Sequence, residues 1–155
     1  MEYKQPLLVV KDLQRSLQFY HDVLGQDVIL DFGANVTLTG GFCLQTASSW
    51  AGFLGKQPGE LSFGGCDAEL YFEEPAFDAF AARLAAMPDV QLVHPVIEHR
   101  WGQRAVRFFD PDGHILEVGE SMATVCRRFA AAGMTPGQIA ARMDVPVDYV
   151  AAHLN

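Results

Sequence analysis

Apolar positions recur along this chain with two periods, and the switches between them mark its elements. Leu7-Leu8-Val9-Val10 is the short apolar run of a buried strand. After it Leu13, Leu17, Tyr20 and Leu24 return every three or four residues, with Asp12 placed to cap a helix and Gly25 to end it. Further strands are expected at residues 27–32, 36–39 and 42–46, parted by Gly33-Ala34-Asn35 and Gly40-Gly41. The first third therefore reads β-α-β-β-β. Residues 48–66 carry Trp50, Phe53, Pro58 and several Gly and Ser without a sustained period. That is a long loop with room for one helical turn, and loops of this length often cover a site.

The same order then recurs. Glu69-Leu70-Tyr71-Phe72-Glu73 alternates as a strand does, and Pro75 opens a helix with Phe77, Phe80 and Leu84 on one face. Residues 90–97 read as a strand, and residues 105–109 and 115–118 as a β-hairpin around Asp110-Pro111-Asp112-Gly113. There Pro fixes one φ and Gly supplies the positive φ of a tight reversal. Gly41 and Gly113 each precede the last strand of their repeat, so the architecture is read as internally duplicated. Beyond residue 121 the pattern is helical. It covers residues 122–132, then a capping box at Thr135-Pro136-Gly137-Gln138 leading into residues 139–143, then a last short helix from Val145-Pro146 to about Leu154. Two short helices around a tight turn look like a helix-turn-helix. Only Arg142 brings positive charge to the pair, so the expected role is a packing arm over a sheet edge or a partner subunit, not DNA binding.

Composition narrows the classes. The 155 residues are 50% hydrophobic and 19% charged, which suits one soluble domain, or one domain with a small appendage. Three cysteines without a CxxC pair argue for a reducing, cytoplasmic setting, with each thiol a small core hydrophobe. No apolar signal region or membrane-length run is present. A formal charge of −8 disfavours nucleic acid and anionic membranes as partners. Within this apolar frame Glu117 stands out. Leu116 and Val118 flank it, so it points to the opposite face, with Ile115, and a carboxylate there needs a cation, a hydrogen bond or water.

Two motifs match a known family. Val-x-Asp-Leu-x-x-Ser-x-x-Phe-Tyr-x-x-x-Leu-Gly, at residues 10–25, resembles the first strand–helix unit of the vicinal oxygen chelate superfamily. That group contains glyoxalase I, the extradiol dioxygenases, and the fosfomycin- and bleomycin-resistance proteins. Trp101-Gly-Gln-Arg with Phe109-Asp-Pro-Asp-Gly-His-x-x-Glu117 resembles the closing hairpin of its second module. The resemblance spans roughly residues 5–120. It implies an α+β fold of two βαβββ modules (about residues 5–47 and 67–120) forming a curved mixed sheet with a concave cleft. Residues 1–120 would be this glyoxalase/bleomycin-resistance-like domain, and residues 121–155 a C-terminal helical extension. Commonly dimeric relatives and sheet edges in need of cover imply a homodimer.

Metal-binding members take ligands from the first and last strands of each module, which carries over to Gln5, Gln45, Glu69 and Glu117. Strand parity agrees, because Gln5, Leu7 and Val9 share one face, as do Cys43 and Gln45, Glu69 and Tyr71, and Ile115 and Glu117. No histidine stands at any of the four positions, and two amides are weak ligands for first-row metals. The preferred reading is therefore a metal-free protein. It would bind a small molecule, cationic or aromatic, in an acidic cleft bearing Gln5, Gln45, Glu69, Tyr71 and Glu117. Trp50, Phe53 and Trp101 would form apolar walls. Without a metal, one of Glu69 and Glu117 would hold a proton, or a cationic ligand group would neutralise them. If the seventh strand begins at Arg104, that residue would share the face of Val106 and Phe108 and pair with a cleft carboxylate.

The alternative is a lyase or isomerase of the glyoxalase I type using Ni, Zn, Co or Mn at the four positions. Glu117 or Glu69 would then be the catalytic carboxylate that moves the proton. A third reading is a regulatory protein whose C-terminal helices meet a partner. His114 is read as structural, and His21, His94, His99 and His153 as surface or hydrogen-bonded groups rather than ligands.

Overall fold

The computed structural model describes residues 1–154 and contains two compact units. The first comprises residues 1–68 with the turn Asp110–His114. Its elements follow the expected order: β1 (Leu7–Val10), α1 (Leu13–Leu24), β2 (Val28–Asp31), β3 (Asn35–Leu38) and β4 (Cys43–Thr46). The sheet runs β1-β4-β3-β2, with β1 parallel to β4 and the other pairs antiparallel. At the start of α1 the Asp12 carboxylate accepts the Arg15 N–H (3.1 Å), and Gly25 closes the helix in the left-handed region. The helix buries Tyr20 and Val23 alongside Val10, Val36, Leu38, Phe42 and Leu44.

The stretch expected to be a loop is more ordered than its pattern suggests. Ala47–Phe53 forms α2, and a 3-10 turn follows at Pro58–Glu60. Only Ala51 of α2 is fully buried, so the helix leaves no apolar stripe for periodicity to detect. The turn Asp110–His114 belongs with this unit because Tyr20 and Lys11 hold its aspartates. The Tyr20 hydroxyl donates to Asp110 (3.0 Å) and the Lys11 N–H to Asp112 (3.1 Å). His114 is structural, as expected, its imidazole lying 2.8 Å from the Asp110 carboxylate.

The second unit comprises residues 69–109 and 115 onward. It contains β5 (Glu69–Glu74), α3 (Phe77–Ala85), β6 (Leu92–Glu98), β7 (Arg104–Phe109) and β8 (Ile115–Glu120), with sheet order β5-β8-β7-β6. The βαβββ order and sheet connectivity thus repeat, each unit being α+β with an open mixed sheet. Pro75 precedes rather than opens α3. The first turn is set by Glu74, whose carboxylate accepts the Ala76 N–H (2.7 Å).

Three helices complete this unit: α4 (Met122–Ala131), α5 (Pro136–Met143) and α6 (Val147–Leu154). They close on Val125, Cys126, Phe129, Ile139, Ala140, Met143 and Val150. The expected capping box forms at Thr135 and Gln138, and Asp144 takes the left-handed conformation between α5 and α6. The helices join the second module's compact unit rather than forming one of their own. Cys43 and Cys126 are buried, but Cys66 is exposed, so the core role expected for all three thiols holds for two. Among the described residues no helix is long and apolar enough to cross a membrane.

Candidate functional site

Backbone register assembles the chemistry of the second sheet. Phe109 pairs with Ile115 across the hairpin, which sets Arg107 opposite Glu117. Glu117 in turn pairs with Tyr71 on β5, and Arg107 with His94 on β6. Directly paired residues share a face, so Tyr71, Glu117, Arg107 and His94 form one polar row across all four strands. Glu69 lies on the same face, one step along β5.

Arg107 ties this row together. Its Nε donates to Glu69 (2.8 Å), a terminal nitrogen pairs with Glu117, and another lies 3.4 Å from the His94 ring. Glu117 is buried, and the planar guanidinium supplies the cation that a carboxylate there requires. The cation expected beside the carboxylate pair was a ligand group, whereas the one found here belongs to the protein itself. The pairing expected of Arg104 falls to Arg107 instead. The seventh strand does begin at Arg104, so that residue shares the face of Val106 and Phe108, away from Glu117. Its guanidinium binds Glu120 (3.1 and 3.2 Å) and Asp78 (2.6 Å).

At the end of this face lies a group in which the sequence flagged Tyr71 and Trp101 but not Gln103. The Gln103 amide donates to the Tyr71 hydroxyl oxygen (2.7 Å) and to the Glu120 carbonyl (2.9 Å), and accepts from the Trp101 indole N–H (3.2 Å). The Tyr71 hydroxyl donates to Glu73 (3.1 Å). Burial pushes the Tyr71 phenol above its ordinary range, and Glu73 adds to this while the Gln103 donor opposes it. Trp101 stacks on His99, with ring centroids 4.3 Å apart and planes 6° from parallel. Burial, then Arg107 and His94, hold the His99 imidazole below its ordinary range, so it is neutral at pH 7.

The two candidate amides lie in the first unit. Gln45 is buried on β4, accepting from Asn35 and donating to Ser49 (2.7 Å each). Gln5 precedes β1 and donates to the Cys43 sulfur, which also meets the Thr37 hydroxyl (3.2 Å). Trp50 and Phe53 lie on α2, Trp50 half-buried and Phe53 exposed.

This donor set does not fit a divalent cation. Both carboxylates are engaged with a guanidinium that would repel the ion, and both amides are held in internal hydrogen bonds. Among the described residues no three His, Cys, Asp or Glu side chains are grouped as cation ligands.

The Glyoxalase-like domain family profile matches residues 3–123. A protein of unknown function from Agrobacterium tumefaciens str. C58 is 38% identical, with 79% of this chain covering 95% of that one at a TM-score of 0.69. A glyoxalase/bleomycin resistance protein/dioxygenase from Nocardioides superposes at 0.61 with 21% identity, covering 77% of this chain and 83% of that one. A lactoylglutathione lyase from Agrobacterium tumefaciens superposes at 0.57 with 20% identity, covering 77% and 93%. At such identities the last two share the fold alone. No curated protein matches this chain.

Proposed function

The chain belongs to the glyoxalase-like domain family, within the vicinal oxygen chelate superfamily, and from that footing we propose that it binds a small aromatic cation without a metal, on the polar face of its second sheet. The observation that carries this reading is the engagement of Glu69 and Glu117 by Arg107. A face that already holds a guanidinium is built for cationic nitrogen rather than a bare metal ion. Glu69, Glu73 and Glu117 set three negative charges there against the single positive charge of Arg107, so the face retains an attraction for cations. Tyr71 and Trp101 are exposed beside it and supply aromatic surface for stacking or cation–π contact. Free thiols at all three cysteines are consistent with a reducing, cytoplasmic setting.

Ethidium, a planar aromatic cation, is a suitable probe. Chelator-treated protein is expected to bind it, and Glu69→Gln to weaken that binding about tenfold, roughly 1.4 kcal/mol, at low salt. Equilibrium dialysis against Ni, Zn, Co and Mn is expected to leave none bound at one equivalent. Failure to bind ethidium overturns the ligand class. One equivalent of metal, lost on Glu117→Ala, overturns the metal-free reading in favour of a lyase or isomerase.

A further inference from the structure

We infer that Gln103 is the positioning residue of this face, locking the Tyr71 hydroxyl and the Trp101 indole into one wall and turning the phenol oxygen into a hydrogen-bond acceptor for the ligand. The inference rests on the ligand reading above for what the wall is for, but not for how the wall is built. Gln103 is buried, 4% exposed, on the turn between β6 and β7. That turn is fixed by two backbone bonds, the His99 N–H to the Gln103 carbonyl and the Gly102 N–H to the His99 carbonyl (2.8 Å each).

The amide can sit only one way round. An indole N–H only donates and a backbone carbonyl only accepts, so Oε1 must face Trp101 and Nε2 must face Glu120. The second Nε2 proton then goes to the Tyr71 oxygen. With that oxygen already accepting, the phenol proton is directed to the Glu73 carboxylate, which can only accept. Polarity thus runs one way, from Trp101 through Gln103 and Tyr71 to Glu73. What Tyr71 keeps for a ligand is a lone pair, the complement of a cationic N–H.

The slot for this amide depends on Gly119. A Cβ there would stand 2.7 Å from the Gln103 nitrogen and 3.2 Å from the Tyr71 ring. Gly119 therefore has a packing reason rather than a conformational one, since its φ lies outside the left-handed region.

The test separates the two arms of the amide by NMR at neutral pH. The Tyr71 ring-carbon resonance at the hydroxyl (assigned through Tyr71→Phe) reads one arm, and the Trp101 indole N–H, in a Trp50→Phe background, reads the other. Gln103→Glu keeps an acceptor for Trp101 but has no proton for Tyr71, so only the Tyr71 resonance is expected to shift. Gln103→Met removes both arms, so both resonances shift and Trp101 loses its hydrogen-bonded indole signature. An unmoved Tyr71 signal in Gln103→Glu, or an unmoved Trp101 signal in a folded Gln103→Met, overturns the inference. Should Gln103→Met not fold, the near-isosteric Gln103→Glu decides alone. Resonances that move in a protein that never binds ethidium uphold Gln103 and sink only the ligand class.

Discussion

Glu120 shows how strongly a single side chain depends on its neighbours. It is fully buried at the end of β8, and its carboxylate is held by Arg104 (3.1 Å) and Arg128 (3.0 Å). Burial alone would raise its pKa, but the two guanidiniums outweigh burial and hold the carboxyl below the usual glutamate range. The sign of the pH effect follows. The unfolded chain takes up this proton first, near the ordinary value of about 4.3, so the stabilisation is complete at neutral pH. It is lost as the pH falls from there through the lower folded-state value. Glu120→Gln is expected to lower stability at pH 7 by about 3 kcal/mol and to flatten the acid limb of the stability curve, read by urea unfolding between pH 3 and 7. Glu117 was legible in the sequence because a charge amid apolar residues demands a partner. The partner's identity was not, because Arg104 and Arg107 alternate on one strand and only the register across Asp110–His114 decides which meets Glu117. Gln103 left no trace in the sequence, since an amide's role is set by what surrounds it.

At the scale of elements, strands and capped helices were legible where their signals are local. Asp12 and Gly25 bound α1, and Thr135 and Gln138 start α5, as their residue types predict. The helix α2 was hidden because its sides are largely solvated, so no stripe forms. Gly102 carries information that pattern reading could not extract. Its φ is +89°, and a Cβ on it would fall 2.2 Å from the Phe129 ring of α4. Arg128, also on α4, binds the Gly102 carbonyl. Helix α4 thus sits against the turn that holds Trp101 through Phe129 and Arg128. Gly102→Ala is expected to be destabilising by about 2 kcal/mol or more, from backbone strain and the displaced Phe129 together. Thermal unfolding measures the loss, and a melting temperature within a degree of the parent would refute this account.

For the whole molecule, the duplicated βαβββ order was the most secure sequence inference, because two independent stretches repeat it and both sheets follow it. Of the four edge strands this leaves, β2 and β6 carry the most apolar side chains in solvent. Val28, Ile29, Leu30 and Phe32 line the first edge, and Leu92, Val93, Val96 and Ile97 the second. Unpaired, apolar strand edges favour association, and a second copy of this chain is the proposed cover. Sedimentation equilibrium is expected to give a dimer. Ile29→Lys, at a side chain already 55% exposed, should shift the mass toward monomer while changing the monomer's own stability by less than about 0.5 kcal/mol. A parent protein that sediments as a monomer at every concentration would rule out the dimer.

If the face binds a cation as proposed, Arg107 makes capture an exchange rather than a filling. An incoming ammonium that took over Glu69 from the guanidinium would replace one positive charge with another and conserve the net charge of the contact. Selection would then fall to ring shape and the direction of N–H groups, because any cation feels the same remaining negative charge of the face. On that reading Arg107 would turn a general cation trap into a discriminating one, and a single lost arginine would return the face to indiscriminate capture.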